Sequence, residues 1–174
     1  MLAHNYFITK YNLSPDQHIS NNLPIKTYES LSKLIFDSFF RSINEVCYMQ
    51  PSIVYLLTSE TIGLASAAIT YSLPVFIPKE SIPASKTCYL FNVCTGPEFR
   101  GKRIMEKLLV YMFKDLSNKQ PLTLLLMVDP DNLSAKKLYH RLGFRIINKI
   151  YGMITTNKGY AELLSFTFVP HDKI

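Results

Sequence analysis

A basic turn at residues 96–109, "GPEFRGKRIMEKLL", is the first segment whose residue types suggest chemistry. It places Arg100, Lys102 and Arg103 around Gly101, where the pattern changes from strand to helix. The free N–H groups of a helix start carry partial positive charge, so cations are unfavourable there unless an anion binds as well. Glycine lets the backbone turn tightly and approach a ligand. The segment therefore predicts a phosphate-binding helix start, with an ordinary solvated helix end as the alternative.

A second segment at residues 129–144, "DPDNLSAKKLYHRLGF", has the spacing of a short capped helix. Asn132 suits the N-cap and Gly143 the residue just after the helix. Tyr139 lies on the apolar stripe of that helix. A phenol is protonated at pH 7 and can donate a proton to a leaving group. The residues alone leave open whether Tyr139 is an acid or a core residue.

Two apolar runs predict the strands that position these segments. Residues 87–95 and 122–128 are continuous apolar stretches, which is typical of strands buried on both faces. The helix predicted over 101–116 lies between them, so the unit is expected to form parallel strands with a right-handed crossover. Ligands of open α/β sheets bind at the carboxyl ends of such strands. The basic turn is therefore expected at a ligand-binding edge.

The other predicted elements flank this unit. No repeat or domain linker interrupts the chain, and one domain over residues 1–174 is expected. The predicted elements are a strand at 5–12, a helix at 27–42 capped by Thr27, two strands within 52–72 around a turn at Ser59–Glu60, an irregular connection at 73–86, and two final strands, in 144–152 and 160–169, around a loop at 152–159.

Composition narrows the class of partner. The net charge of +6 favours an anionic partner, such as a phosphorylated cofactor, although it could serve solubility alone. No nucleic-acid motif is present, so nucleic acid is not expected. No secretory signal and no apolar run of about 20 residues is seen. We expect a cytoplasmic protein without membrane association.

Metal binding is not expected from the sequence. The three cysteines, Cys47, Cys88 and Cys94, are odd in number and match no zinc spacing. The four histidines are scattered, and none pairs with a cysteine at ligand spacing. The cysteines are interpreted as buried thiols of a reducing compartment.

Together the two segments resemble the GNAT superfamily of N-acetyltransferases. Members carry V/I-x-V-x-P-x-[YF]-R-G-x-G-x-G/A and then N-x-x-A-x-x-L-Y-x-x-x-G-F, which "VCTGPEFRGKRI" and "NLSAKKLYHRLGF" match at the family's spacing. The resemblance covers residues 88–145 in detail. It implies an α/β fold with a mixed sheet of six to seven mostly antiparallel strands, a central splayed parallel pair, and three to four helices.

The resemblance implies transfer of an acetyl group from acetyl-CoA to a primary amine by direct aminolysis of the thioester. Tyr139 would be the general acid on the leaving thiolate. The acceptor would be a protein N-terminus, a lysine or a small amine, and the protein a monomer or homodimer. Residues implied in cofactor binding are Val93, Cys94 and Thr95 for the pantetheine arm, Arg100, Gly101, Lys102, Arg103, Ile104 and Met105 for the pyrophosphate, and Asn132.

The chain departs from the family pattern in the loop. Arg103 and Met105 replace two small residues. Within a helical turn Arg103 need not be strained, and its side chain is expected to add a phosphate contact. These replacements favour the alternative function, a catalytically lapsed CoA-binding or scaffold and sensor protein on the same fold.

The general base and the acceptor site are less clearly marked. The two central strands carry no carboxylate, and the strand glutamate of bacterial ribosomal-protein alanine acetyltransferases aligns with Met127. Tyr151 and Tyr160 flank the last loop, where family members meet the acceptor. Candidate bases, each expected to be a surface carboxylate, are Glu98, Asp129 and Glu162.

Overall fold

The computed structural model describes residues 5–13, 19–39, 51–60, 63–71, 86–117, 121–152 and 156–169. Within these ranges the chain forms seven strands and four helices. The strands are β1 (Tyr6–Asn12), β2 (Pro51–Ser59), β3 (Gly63–Tyr71), β4 (Lys86–Thr95), β5 (Leu122–Val128), β6 (Arg145–Tyr151) and β7 (Tyr160–Phe168). The helices are α1 (Ile19–Asn22), α2 (Ile25–Phe39), α3 (Ile104–Ser117) and α4 (Leu133–Arg141), with a 3₁₀ turn at Pro97–Phe99.

The strands form one mixed sheet in the order β1-β2-β3-β4-β5-β7-β6. β1 with β2, β2 with β3, β5 with β7, and β6 with β7 are antiparallel pairs. The predicted fold class, a mostly antiparallel mixed sheet with one parallel pair, is confirmed.

The parallel pair is β4 with β5, joined by a crossover that contains α3. Their register runs from Lys86 opposite Leu122 to Leu90 opposite Leu126. β4 continues past this pairing to Thr95, and Asn92 has a positive φ of 51° there. A left-handed residue interrupts regular strand geometry. The prediction of a strand–helix–strand unit with parallel strands is confirmed.

Two predicted helix starts are wrong. α2 begins at Ile25, so Thr27 lies inside the helix and does not cap it. α3 begins at Ile104 rather than at 101, because Gly101 and Arg103 both have positive φ values that a right-handed helix excludes. Residues 40–42, 61–62, 72–85 and 153–155 of predicted elements, as well as Cys47, lie outside the described residues.

The contacts divide the chain into two compact units, and the first comprises Met1–Ser72 and Phe91–Met112. Its core includes the apolar stripe of α2, where Leu31, Leu34 and Ile35 are buried. Tyr55 on β2 is fully buried and meets Tyr111 edge-on at 6.5 Å between ring centroids. These contacts explain the helical spacing of apolar residues in α2 and the apolar run in β2.

The second unit comprises Leu73–Leu90 and Phe113–Ile174. β5 is buried along almost its whole length, as its apolar sequence requires. A cluster of phenylalanine rings, with centroids 5.3–6.5 Å apart, packs beside it. The members of this cluster are Phe113, Phe144, Phe166 and Phe168.

Candidate functional site

The first group of predicted site residues begins at the end of β4, in the first unit. Cys94 is buried, while Val93 and Thr95 are half-buried. Thr95 Oγ1 lies 2.9 Å from the Oγ of buried Ser66, and the Gly96 N–H donates to the Ala65 carbonyl at 2.9 Å. These two hydrogen bonds join the end of β4 to β3 and set the direction in which the chain leaves the strand.

A single 3₁₀ turn then carries the chain to the basic residues. Phe99 is 1% exposed and anchors the turn in the core. The Arg100 N–H donates to the Pro97 carbonyl at 3.3 Å, and Arg100 Nε donates to the Thr95 carbonyl at 3.2 Å. The Arg100 side chain therefore folds back along the strand end and keeps its charge beside it.

Two residues of the following turn have left-handed backbone conformations. Gly101 has φ = 75° and Arg103 has φ = 55°. No heavy atom lies within 4 Å of where a Gly101 Cβ would be, so its conformation and not a lack of space requires glycine here. The expectation that Arg103 lies unstrained in a helical turn is wrong. A left-handed conformation costs an L-residue roughly 1–2 kcal/mol.

The helix start follows directly. The Lys107 N–H donates to the Arg103 carbonyl at 3.2 Å, and the N–H groups of the turn before it have no acceptor within the helix. Ile104 and Met105 are buried, so the large Met105 side chain points into the core. Between residues 98 and 107 the sequence has four cations and two carboxylates. A helix start with an excess of cations suits a phosphate.

The second group of predicted site residues lies on α4, in the second unit. Asn132 Oδ1 accepts a hydrogen bond from the Ala135 N–H at 3.1 Å, which confirms the predicted N-cap. The turn before it is held by the Asp131 N–H, which donates to Asp129 Oδ1 at 2.9 Å. The Asn132 residue is exposed.

The end of α4 fixes Tyr139. The Phe144 N–H donates to the Tyr139 carbonyl at 3.0 Å, and the Gly143 N–H donates to the His140 carbonyl at 3.1 Å. With Gly143 at φ = 97°, these bonds form a Schellman motif, and the predicted glycine after the helix is confirmed. The Tyr139 ring packs on Phe144 with centroids 5.6 Å apart. The spacing Y-x-x-x-G-F therefore positions a tyrosine that is only 6% exposed.

An ion pair between α4 and β7 was not predicted from the sequence. Lys136 Nζ lies 2.7 Å from Glu162 Oε2, and the two side chains are 21% and 9% exposed. The contact is electrostatic, because Oε2 accepts no well-aligned hydrogen bond from the described residues. One signal for Lys136 was present in the sequence, because it lies four residues after Asn132 and three before Tyr139, which places it on their helix face.

The candidate bases differ in their surroundings. Glu98 is exposed, as expected, and Asp129 is half-buried with one oxygen bonded to the turn. The expectation of a surface carboxylate is wrong for Glu162, which is 7% exposed because it lies on β7 opposite Val128.

The tyrosines proposed near the acceptor belong to the last hairpin. Tyr151 is 73% exposed, and its ring lies 5.7 Å from that of Tyr160. Lys149 Nζ lies over the Tyr160 ring at 4.9 Å from its centroid. The pair forms an accessible aromatic surface on the second unit.

Neither a metal cluster nor a membrane helix is found in the part of the chain that the structure describes. No three of its His, Cys, Asp or Glu side chains group as metal ligands. None of its helices is long and apolar enough to cross a membrane.

The chain belongs to the GNAT family of acetyltransferases, since the sequence model of that family, described as Acetyltransferase (GNAT) family, matches residues 18–144. No curated protein sequence matches the chain.

Solved structures show the same fold. The ribosomal-protein-S18-alanine N-acetyltransferase from Escherichia coli has a TM-score of 0.66 at 17% identity, covering 96% of this chain and 97% of that one. NAA60 from Arabidopsis thaliana, in complex with a bisubstrate analogue, has a TM-score of 0.67 at 16% identity, covering 93% and 99%. A GNAT family acetyltransferase from Elizabethkingia anophelis with acetyl-CoA bound has a TM-score of 0.62 at 15% identity, covering 92% and 98%.

Proposed function

We propose that this chain is an N-acetyltransferase that moves the acetyl group of acetyl-CoA to a primary amine. Membership of the GNAT family and a fold neighbour with acetyl-CoA bound support the donor. A fold neighbour that acetylates an alanine of ribosomal protein S18 supports an amine of a protein as acceptor, beside a lysine or a small amine.

The observation that carries the proposal is the turn from Arg100 to Arg103. Its two left-handed residues are strained or glycine-dependent, and such conformations concentrate at functional sites. The turn leads into a helix whose first N–H groups lack intrahelical acceptors, with exposed Arg100, Lys102 and Arg103 beside them. These groups fit a pyrophosphate, which they would bind through main-chain N–H groups and charge. The departures at Arg103 and Met105 leave this arrangement intact, because one side chain is exposed and the other buried in the core.

The chain's other proposed roles concern the acyl end of the donor. The backbone of Val93, Cys94 and Thr95 would pair with the pantetheine arm, and Asn132 would bind close to the cofactor. Tyr139 would donate its phenolic proton to the departing thiolate, a role that typically contributes ~10²–10⁴-fold. Its packing on Phe144 holds the ring in one orientation, which suits a proton donor better than a mobile side chain would.

Calorimetric titration with acetyl-CoA, at low and at physiological salt, tests this proposal. We expect micromolar binding that weakens with salt, because exposed cations bound to phosphate are screened. A triple variant, Arg100→Ala, Lys102→Ala and Arg103→Ala, should lose most of this affinity. Absence of binding by the unmodified protein would contradict the proposal. Binding without turnover of any amine would favour the alternative, a lapsed CoA-binding protein.

A further inference from the structure

Glu162 is the one buried charged residue among those that the structure describes. Its Oε2 is buried, so the exposed 9% of the side chain belongs to its other atoms. Lys136 Nζ lies 2.7 Å from that buried oxygen. A buried ion pair contributes little net stability, because the desolvation of both charges offsets their attraction. A contribution to folding stability therefore does not explain why the Lys136–Glu162 pair is present.

The pair is located on the face of α4 that bears the proposed site residues. Asn132, Lys136 and Tyr139 are spaced by four and three residues, which aligns them along one side of the helix. Lys136 also approaches the Pro130 carbonyl at 3.5 Å, so its ammonium is held between the start of α4 and β7. The Glu162 carboxylate is thereby fixed beside the helix that carries the proposed acid.

Several charged or titratable groups surround Glu162. Lys136 faces it from α4, and Lys149 is its cross-strand partner on β6, with its ammonium over Tyr160. On the β5 side its partner is apolar Val128, which Asp129 follows. Lys158, in the loop before β7, has a pKa raised mainly by Asp131 and slightly by Glu162. The buried Glu162 carboxylate thus has a lysine ammonium against it from α4 and a second lysine opposite it on β6.

We propose that Glu162 is the general base that removes a proton from the acceptor ammonium, and that Lys136 is its positioning residue. This inference rests on the proposed function. Glu162 takes one proton from the ammonium, the neutral nitrogen forms a bond to the acetyl carbonyl carbon, and the carbon–sulfur bond breaks. The thiolate receives the proton of Tyr139, the nitrogen gives its second proton through solvent to the Tyr139 phenolate, and Glu162 releases the proton it took to solvent. No carboxylate on β4 or β5 is needed.

The test compares the pH dependence of acetyl transfer by the unmodified protein and its Glu162→Gln variant. The probes are a peptide with a free N-terminal amine and no lysine, a lysine peptide with a blocked N-terminus, and spermidine. Kinetics use the probe that the unmodified protein acetylates fastest. We expect Glu162→Gln to lower kcat/KM ~100-fold or more at pH 7. The difference in kcat/KM between the two proteins should narrow towards pH 9.5, because a larger share of the amine is then already neutral in solution and needs no general base. Acetyl-CoA affinity, measured by calorimetry, should change less than about twofold.

Two further variants separate this role from a structural one. Lys136→Met combined with Glu162→Gln removes both charges, so it should fold even if an unpaired Lys136 does not, and it should be equally slow. Asp131→Asn is the control: it removes the carboxylate of an exposed ion pair with Lys158, in which the Asp131 side chain is 46% exposed, and it should keep full activity. A Glu162→Gln variant that acetylates at the unmodified rate, or with a deficit independent of pH, would overturn the role of Glu162 alone. An unmodified protein that acetylates none of the probes would overturn the proposed function, and this role with it.

Discussion

Replacing Arg103 with glycine should change stability and cofactor affinity in opposite directions. Arg103 has φ = 55°, and a left-handed conformation costs an L-residue roughly 1–2 kcal/mol. Glycine removes that strain, but its greater freedom in the unfolded chain costs about 0.5–1 kcal/mol. The Arg103→Gly protein should therefore be more stable by about 0.5–1 kcal/mol. For a chain of this length that corresponds to a rise in Tm of about 1–4 °C.

The same substitution removes one of the exposed cations of the turn. We expect the Kd for CoA to rise about three- to tenfold, since tenfold equals about 1.4 kcal/mol, within the range of a charge-assisted contact to phosphate. The loss should be larger at low salt than at high salt. Thermal unfolding of the ligand-free protein and calorimetry with CoA measure the two effects separately.

Lys102→Gly is the matched control. It also removes one cation, but Lys102 is not left-handed, so glycine relieves no strain there. It loses the contact between Lys102 Nζ and the Phe99 ring, 5.7 Å from the centroid, and should lower Tm. Equal Tm values for the two variants would refute the strain at Arg103. Unchanged CoA affinity in Arg103→Gly would refute its part in phosphate binding.

Three other outcomes follow from the second unit. Gly143→Ala should destabilise the protein by about 2–4 kcal/mol in denaturant unfolding, because alanine is strained at φ = 97° and its Cβ would lie 3.0 Å from Phe166 Cε2. A loss of stability below about 0.5 kcal/mol would contradict the Schellman assignment. Asn132→Ala should cost about 1 kcal/mol by the same measurement and Asn132→Asp much less, since aspartate also caps, and equal losses would argue against the cap. The Lys158 ammonium lies 2.9 Å from Asp131 and should titrate in NMR with a pKa raised above 10.5, and this pKa should fall in Asp131→Asn. The stabilisation by this ion pair is present at neutral pH and should vanish as pH rises through the raised pKa. An identical Lys158 titration in both proteins would refute the pairing.

Local patterns predicted the elements that are specified by nearby residues. β5 matches its predicted bounds of 122–128, because an apolar run between polar residues determines both its ends and its burial. Asn132 and Gly143 bracket α4 as expected, since a cap side chain and a left-handed residue act within a few positions of the helix. The family motifs added roles that periodicity could not supply.

The sequence could not predict features that depend on conformations or partners without a local signal. No pattern marks an arginine as left-handed, so α3 was expected to begin three residues too early. Glu162 is distant in sequence from Lys136, and only the pairing of β7 with β5 and the position of α4 bring them together. Its burial contradicted the usual exposure of glutamate.

Acetyl transfer by the unmodified protein and by Tyr139→Phe tests the central claim most directly. CoA thiol release would be followed with the three amine probes at saturating acetyl-CoA, with calorimetry to show that both proteins bind it equally. We expect transfer to at least one probe by the unmodified protein and a kcat lowered ~10²-fold or more in Tyr139→Phe. Acetyl-CoA binding without transfer to any amine would contradict the account, and so would full activity of Tyr139→Phe.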